Sequence, residues 1–307
     1  MRVLVTGATG FVGRHLLDAL RAAGHEPNAA GGPQDAPPAI GLDVLDPDAV
    51  RRVVDAAAPD AIVHLAGQAF VPQSVADPLG TLAVNATGTA HVLEAARAYR
   101  DRVRAPLRVL VVSSAEVYGI QRPDRMPLDE TAVLRPGNAY AASKVAAEAY
   151  ALAWQRSYGL DCVVARPFNH IGPGQDGRFV VASFARQLAD IAAGAPALMH
   201  VGNLEAQRDF LDVRDVAAAY VLLLANGRAG EVYNICSGRT VAIREVLRQL
   251  ITIARVPVEI RDDPERMRSS DLPILSGDAT KLRAETGWEP RYSLAASLRD
   301  IYAAARA

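Results

Sequence analysis

Residues 2–13 read RVLVTGATGFVG, which is a short apolar strand, a turn with three glycines and the start of a helix. Glycines at intervals of three let the backbone turn tightly and let a pyrophosphate approach the N–H groups at the helix N-terminus, where the helix dipole favours negative charge. The stretch therefore predicts a dinucleotide-binding turn. Its candidate binding residues are Gly7, Gly10, Phe11, Val12 and Gly13.

Further along the chain, apolar strands alternate with helical patterns. The pattern predicts strands at 61–65, 107–113 and 161–166, and helices at 12–23, 81–99 and 140–158. Near-continuous apolar strands separated by helices indicate an α/β fold with a Rossmann-type, doubly wound parallel sheet covered on both faces. Such a sheet binds ligands at the carboxyl ends of its strands.

After Arg166 the chain becomes rich in Pro and Gly, and its regular segments become shorter. This change predicts a smaller C-terminal α/β lobe that binds the substrate. Residues 212–234 have the pattern of a helix and a strand that return to the first sheet. We therefore expect a dinucleotide-binding domain at 1–166 plus about 211–236, and a second lobe at 167–210 and 237–307.

The composition excludes several classes of protein. Among 307 residues, 33 Lys and Arg balance 34 Asp and Glu, so we expect no nucleic-acid partner. The two cysteines, Cys162 and Cys236, are too few for a disulfide scaffold or a thiolate metal site, and we expect buried, inert thiols and no metal. The longest apolar run, 216–225, is shorter than the roughly 20 residues of a membrane span. We predict a cytoplasmic protein without membrane contact.

The end of the second predicted strand bears on the choice of dinucleotide. This strand runs near 25–30, and no Asp or Glu stands at its end to bind the ribose 2′-hydroxyl of NAD. The missing carboxylate favours NADP, while NAD remains open. Asp43, with Val44 beside it, is a candidate contact for the adenine amino group. The alternative role for Asp43 is to cap the helix that begins at Pro47, although Asp46 is better placed for that cap.

Tyr140 and Lys144 lie four residues apart on a predicted helix, which puts them on one face. A protonated Lys near a phenol favours the phenolate, so we expect the pKa of Tyr140 to fall from about 10 towards neutrality. Tyr140 then serves as a general acid or base. Ser114 ends a strand at the same edge of the sheet, where its hydroxyl can stabilise an oxygen that changes charge.

In this order, the glycine turn, His64-Leu65-Ala66, Asn85, Ser114 and the Tyr140–Lys144 pair resemble the extended short-chain dehydrogenase/reductase family, in its nucleotide-sugar-modifying branch. The resemblance covers essentially the whole chain. It implies that Leu65 and Ala66 line the cofactor and that Asn85 supports the catalytic arrangement.

Three segments of the second lobe, 166–175, 201–213 and 233–238, resemble the family's reductases of GDP-linked 4-keto-6-deoxyhexoses. This resemblance implies NAD(P)H-dependent reduction at C4 of GDP-4-dehydro-6-deoxy-D-mannose to GDP-D-rhamnose. The implied substrate-binding residues are Ser114, Glu116, Asn169, Arg208, Arg268 and Asp271. The guanidinium groups of Arg208 and Arg268 suit diphosphate oxygens. The alternative is that the two arginines form surface salt bridges with nearby Asp residues, and their spacing alone favours neither role.

Other functions remain open at this point. Glu116 stands where related dehydratases keep a base, although Ala115 occupies the position where several of them place an acid. A nucleotide-sugar 4-epimerase uses the same Tyr, Lys and Ser, and a GDP-mannose 4,6-dehydratase is a further alternative. A binding-only NADP sensor usually lacks the Tyr or the Lys. The family also implies a homodimer through the Ala-rich helices 81–99 and 140–158, for which simple packing on the sheet is the alternative.

Overall fold

The computed structural model describes residues 1–35, 39–266 and 272–306. The strands in chain order are β1 (Arg2–Thr6), β2 (Glu26–Gly31), β3 (Ile40–Gly41), β4 (Ala61–His64), β5 (Arg108–Val112), β6 (Asp161–Pro167), β7 (Asn169–Ile171), β8 (Leu198–Val201), β9 (Gln207–Asp212), β10 (Val232–Ile235), β11 (Thr240–Ala242), β12 (Glu259–Asp262) and β13 (Ile274–Leu275).

The helices in chain order are α1 (Phe11–Ala22), α2 (Pro47–Ala57), α3 (Val71–Ala76), α4 (Pro78–Leu82), α5 (Gly88–Val103), α6 (Ala139–Tyr158), α7 (Val180–Ala192), α8 (Val213–Asn226), α9 (Ile243–Ala254), α10 (Thr280–Thr286) and α11 (Leu294–Ala305). A π-helical turn covers Ala83–Thr87, and short 3₁₀ turns cover Ala115–Tyr118, Pro123–Arg125 and Pro264–Arg266.

In the described residues the main sheet has seven parallel strands in the order β10-β6-β5-β4-β1-β2-β3. The strand order reverses at β1, which has β2 on one side and β4 on the other. A reversal of this kind opens a crevice at the carboxyl ends of the strands. The Rossmann-type α/β fold predicted from the sequence is therefore confirmed.

Both faces of this sheet are buried. Helices α1 and α8 pack together on one face, and α2, α5 and α6 cover the other. In β1, Val3 and Val5 belong to the core under the first pair of helices, whereas Leu4 belongs to the core on the opposite face. Successive strand residues point to opposite faces, so burial on both faces requires the continuous apolar run seen in the sequence.

A second lobe carries smaller sheets. Strands β11, β9, β13 and β7 form one sheet, and β12 pairs with β8. Helices α7, α9 and α11 pack around a separate core that includes Phe184, Leu247 and Tyr302. As expected, a helix and a strand return to the first sheet, since β10 pairs with β6. Helix α10 also packs against α8 and β10, on the side of the main sheet.

The helix predicted at 81–99 is interrupted. Helix α4 ends at Leu82, the π-helical turn follows, and α5 begins at Gly88. A π-helical turn contains one extra residue per hydrogen-bonded loop, a feature that periodicity does not signal and that is frequent near functional sites.

The predicted burial of the two cysteines is confirmed. Cys162 and Cys236 are free and fully buried, and burial raises the pKa of both thiols. None of the helices within the described ranges is long and apolar enough to cross a bilayer.

Candidate active site

The glycine-rich turn joins β1 to α1 at the carboxyl edge of the main sheet. Gly7 has a φ of 69°, and a Cβ there would lie 2.7 Å from the amide nitrogen of Ala66. A Cβ on Gly13 would lie 2.4 Å from the carbonyl oxygen of Gly7, so α1 approaches the turn this closely only with glycine at that position.

Helix α1 begins without a side-chain cap, because its N-cap residue is Gly10. Gly10, Phe11 and Val12 line the large cavity described below. The uncapped N–H groups of a helix N-terminus and its dipole suit an anion. The turn therefore fits the pyrophosphate of a dinucleotide cofactor.

The structure brings Tyr140, Lys144 and Ser114 together. Tyr140 and Lys144 lie one turn apart on α6, and each is 8% exposed. Ser114 follows β5 and caps the 3₁₀ turn, where its hydroxyl accepts a hydrogen bond from the Glu116 N–H over 3.2 Å. The hydroxyls of Ser114 and Tyr140 are also hydrogen-bonded to each other.

Lys144 is held at the end of β5. Its ammonium nitrogen donates to the carbonyl oxygen of Val112 over 2.9 Å. Burial lowers the pKa of Lys144 to about 8, and the negative charge of Glu148 opposes this shift. The amine is therefore charged at neutral pH and loses its proton in mildly alkaline solution.

The expected direction of the Tyr140 pKa is wrong. Burial raises the pKa of this phenol to about 12, the hydrogen bond from Ser114 acts the other way, and the charge of Glu116 adds to the rise. Removal from water outweighs any stabilisation of the phenolate, because a buried group avoids its charged form. Tyr140 in this structure is a protonated phenol at neutral pH, which is the form that can donate a proton.

Asn85 lies on the π-helical turn and is buried. Its side chain is fully engaged: Oδ1 accepts from the Gln68 N–H over 2.8 Å, and Nδ2 donates to the Gln68 carbonyl and to the Ser143 hydroxyl. Ser143 is the residue before Lys144 on α6. Asn85 therefore ties the loop after β4 to the helix that carries the Tyr140–Lys144 pair.

A buried ion pair lies behind this group. Glu148, one turn beyond Lys144, accepts from Arg166 on β6 through both carboxylate oxygens, at 2.9 and 2.7 Å. Both side chains are 5% exposed or less. Glu148 also accepts a hydrogen bond from the Ser113 hydroxyl, next to Ser114. The pair fixes α6 against β6 and the end of β5.

One cavity of about 1220 Å³ joins these features. It extends from the glycine-rich turn past the Tyr140 group to the second lobe. The predicted site residues that line it are Gly7, Gly10, Phe11, Val12, Gly13, Leu65, Ser114, Glu116, Tyr140, Lys144, Asn169 and Arg208. The crevice is large enough for a dinucleotide with a second ligand beside it, since ordinary ligand pockets are about 300–1,000 Å³.

Three predicted cofactor residues are not in the cavity lining. Ala66 lies against Gly7, and its N–H donates to the Thr6 hydroxyl. Val44 is buried, whereas Asp43 is exposed and accepts from the Leu45 N–H over 2.9 Å. The cap of α2 is Asp46, which accepts from two N–H groups of the first turn, so Asp43 does not have the capping role.

The second-lobe candidates are only partly described. Asn169 opens β7, and Arg208 on β9 is buried and donates to the carbonyl oxygens of Gln207 and Leu272. The alternative salt-bridge partners of Arg208 have contacts elsewhere. Asp209 accepts from Ser237 and Gly238, and Asp212 pairs with Arg214. The other two predicted residues, Arg268 and Asp271, lie outside the described residues.

Sequence reasoning missed several residues at this cavity. Tyr220 on α8 lines it, and a charge on Tyr140 would act on this second phenol. In the same lining, the Arg178 guanidinium lies 4.8 Å from the centre of the Phe70 ring, which contacts Phe179 edge-on. No local motif marks these residues, since their contacts join segments that are distant in the sequence.

Asp35 was also missed. Its carboxylate accepts hydrogen bonds from the Thr9 hydroxyl and from the Gly32 N–H, so it lies between the glycine-rich turn and the end of β2. The end of β2 itself carries no acid. Asp35 follows within the next loop. The sequence signal for it was its spacing, because an acidic residue that contacts the cofactor is expected about 20 positions after the glycine-rich turn.

Within the described residues, no cluster of His, Cys, Asp or Glu side chains could hold a metal ion.

Comparisons with known proteins agree with the geometry. The family model described as GDP-mannose 4,6 dehydratase matches residues 33–301. A GDP-6-deoxy-D-mannose reductase from Pseudomonas aeruginosa is 43% identical over 303 residues, which cover 98% of this chain and 95% of the relative.

Two solved structures are similar over nearly their whole length. RMD from Pseudomonas aeruginosa complexed with NADPH has a TM-score of 0.89 at 39% identity, and the match covers 100% of this chain and 99% of that one. UDP-glucose 4-epimerase from Thermus thermophilus in complex with NAD has a TM-score of 0.87 at 33% identity, with 100% and 99% covered. The chain therefore belongs to the extended short-chain dehydrogenase/reductase family, in the branch whose members modify nucleotide sugars.

Proposed function

We propose that this chain is an NAD(P)H-dependent oxidoreductase that reduces C4 of GDP-4-dehydro-6-deoxy-D-mannose and releases GDP-D-rhamnose. The observation that carries this proposal is the buried Tyr140 phenol beside Ser114, in the lining of a cavity that continues into the second lobe. The 43% identity to the GDP-6-deoxy-D-mannose reductase supports the choice of substrate.

The chain's own residues supply binding and proton transfer. The N–H groups of Phe11 and Val12 would hold the cofactor pyrophosphate at the start of α1, where Gly10 lets it approach closely. NAD(P)H, when bound, supplies the hydride that reduces C4. Tyr140 donates its proton to the C4 oxygen of the sugar, and the Ser114 hydroxyl hydrogen-bonds to the same oxygen.

The product of that proton transfer is a phenolate on Tyr140, which the neighbouring Lys144 ammonium stabilises. Solvent then returns a proton to the phenol, so the enzyme regains its starting state. In the second lobe, Arg208 and Asn169 bind the diphosphate or hexose oxygens, and Glu116 contacts the sugar near Ser114. Arg268 and Asp271 retain their predicted substrate-binding roles as proposals that rest on the sequence.

The cofactor residues divide into two groups. Gly7, Gly13 and Leu65 shape the cavity wall at the glycine-rich turn. Asp43, Val44 and Ala66 lie outside the cavity lining and are assigned to the adenine end of the cofactor.

We assign residues 1–166 and about 211–236 to cofactor binding, and 167–210 and 237–307 to the nucleotide sugar. The packing of α10 against α8 adds one helix to the cofactor side.

We further propose a homodimer through α5 and α6. These two helices pack together, and α6 carries Tyr150 and Tyr158, which are 43% and 49% exposed. Leu79 on the adjacent α4 is 77% exposed. Exposed large apolar side chains on neighbouring helices favour a protein interface at this face. Light scattering on the purified chain tests the assembly, and a monomer at micromolar concentration contradicts it.

A cytoplasmic location stays a prediction.

The deciding experiment incubates the purified chain with NADPH or NADH and GDP-4-dehydro-6-deoxy-D-mannose, and then identifies the sugar released from the product. The expected result is stoichiometric oxidation of the reduced cofactor and a 6-deoxy sugar with the rhamnose configuration at C4. A 4-epimerase would interconvert nucleotide hexoses without net consumption of added cofactor. A 4,6-dehydratase would form a keto-sugar from GDP-mannose, and binding without turnover would indicate a sensor.

A further inference from the structure

Tyr220 on α8 carries a buried hydroxyl that no described residue satisfies. The side chain is 1% exposed and lines the large cavity. Within residues 1–35, 39–266 and 272–306, this hydroxyl has no hydrogen-bond partner. Tyr118, a second buried phenol of the same core, donates to Asn234 over 2.7 Å and accepts from Arg166 over 3.0 Å. Because buried phenols usually have such partners, the Tyr220 hydroxyl indicates a ligand that enters the cavity.

The course of α8 directs this ring towards the cavity. The helix begins at Val213, and a Cβ on Gly172 would lie 2.4 Å from Val213 and 3.5 Å from the cavity residue Phe11. The helix ends near the amino end of β5, where Arg108 donates to two carbonyl oxygens of its last turn. Side chains of a helix lean towards its N-terminus. Tyr220, two turns after the start of α8, therefore reaches back towards the carboxyl ends of the strands.

The Tyr220 hydroxyl lies near the proposed proton donor. Burial raises the pKa of Tyr220, and a charge on Tyr140 raises it further, so the two phenols are close enough to interact. The Tyr220 phenol is therefore protonated at neutral pH and can donate its O–H. The two rings approach the cavity from opposite sides, because α6 and α8 cover different faces of the main sheet.

Tyr220 belongs to the cofactor side of the cavity. Helix α8 packs against α1, whose first residues line the predicted pyrophosphate site, and also against β5 and β6. In the proposed reaction the nicotinamide lies beside Tyr140, because the hydride and the proton enter the same carbonyl group of the sugar. The polar substituent of a nicotinamide ring is its carboxamide, whose oxygen accepts hydrogen bonds.

We infer that the Tyr220 hydroxyl donates a hydrogen bond to the carboxamide oxygen of the bound nicotinamide. Tyr220 is then a cofactor-binding residue at the end of the dinucleotide opposite to the adenine. The contact holds the ring at one rotation about its bond to the ribose. This inference rests on the dinucleotide site of the proposed function, but its test is a binding measurement that needs no sugar nucleotide.

Calorimetric titration of the native chain and of Tyr220→Phe provides the test. The ligands are NADH or NADPH, whichever binds the native chain more tightly, and ADP-ribose or its 2′-phosphate as the matching fragment without nicotinamide. Tyr220→Phe should raise the Kd of the dinucleotide about 2- to 10-fold, the effect of one neutral hydrogen bond, and leave the Kd of the fragment unchanged. The control is Tyr302→Phe, in which the lost hydroxyl belongs to a ring that is 6% exposed in the core of the second lobe. This control should leave both Kd values unchanged.

A modified cofactor tests the accepting atom. The thionicotinamide analogue of the same dinucleotide has sulfur in place of the carboxamide oxygen, and sulfur is a weak acceptor. The native chain should bind this analogue about 2- to 10-fold more weakly than the parent dinucleotide. In Tyr220→Phe the two Kd values should be nearly equal, because the donor is absent.

Each outcome bears on the inference. Unchanged binding of the dinucleotide by Tyr220→Phe would overturn it and would mean that the hydroxyl pairs with water alone. An equal loss of affinity for the fragment would also overturn it, since the effect would then be structural. Thermal unfolding shows whether the variant is folded, and if it is not, equal binding of parent and thio analogue by the native chain refutes the contact. Absence of sugar reduction in the functional assay would leave these Kd values untouched, so the two proposals fail separately.

Discussion

The ammonium nitrogen of Lys144 lies 2.9 Å from the carbonyl oxygen of Val112, the last residue of β5. This hydrogen bond joins the helix that carries Tyr140 to the strand that leads into Ser114. The hydroxyls of Tyr140 and Ser114 are therefore held next to each other, although 26 positions separate the two residues in the sequence. The Tyr140 group depends on this contact and on the buried ion pair behind it.

Tyr140→Phe should lower kcat by about 10²- to 10⁴-fold, because it removes the proton donor and leaves the ring in place. The assay follows the consumption of NAD(P)H with the keto-sugar nucleotide. Tyr150→Phe is the matched control, since Tyr150 lies on the same helix but is 43% exposed. Equal rates in native and Tyr140→Phe protein would remove this phenol from the mechanism.

The pH profile of kcat/KM should decline as pH rises through about 8. Lys144 has a pKa lowered to about 8, so its stabilising charge is present below that pH and disappears above it. Tyr140, with its pKa raised to about 12, stays protonated over the same interval and does not cause the decline. A profile that stays flat to about pH 10 would contradict the assignment, since kcat/KM reports groups of the free enzyme.

Lys144→Met should raise the Tm while it abolishes turnover. The amine is buried and its pKa falls from 10.5 to about 8, so its charged form costs folding on the order of 3 kcal/mol below pH 8. This cost declines as pH rises from about 8 to 10.5, because between these two pKa values the unfolded chain binds the proton and the folded chain does not. Scanning calorimetry at neutral pH provides the measurement. A lower Tm would mean that the hydrogen bond to Val112 outweighs the cost of burying the charge.

Glu148→Gln should destabilise the protein by about 3–5 kcal/mol, because it leaves the Arg166 guanidinium buried without a counter-charge. Denaturant unfolding measures the loss. Glu245→Gln breaks an exposed pair with Arg248 and should change stability by less than about 1 kcal/mol. The double substitution Glu148→Met with Arg166→Met should lose less than Glu148→Gln alone. A larger loss in the double variant would show that packing, rather than the unpaired charge, sets the effect.

Gly13→Ala should weaken cofactor binding and lower the Tm together. Its Cβ would lie 2.4 Å from the carbonyl oxygens of Gly7 and Ala8, so the helix must move away from the turn that holds the pyrophosphate. Gly137→Ala is the control, because a Cβ there has no neighbour within 4 Å. Calorimetric titration with NADH checks the prediction, and an unchanged Kd in Gly13→Ala would refute the close packing as a requirement for binding.

Local patterns in the sequence were sufficient for the parallel sheet, the glycine-rich turn and the pairing of Tyr140 with Lys144. Each of these depends on residues within about one turn or one strand, where periodicity and glycine spacing directly limit the backbone. The interruption of the helix near Asn85 was not predictable in this way, because a π-helical turn keeps the same apolar pattern.

Tertiary structure alone decided the electrostatics of the site. The Tyr140 pKa rises instead of falling, since burial in the assembled fold outweighs the opposing hydrogen bond from Ser114. Asp35 likewise became a candidate cofactor residue only when the loop after β2 folded back onto Thr9. Residue spacing sets which groups share an element, whereas desolvation and contacts between distant segments exist only after the chain has packed.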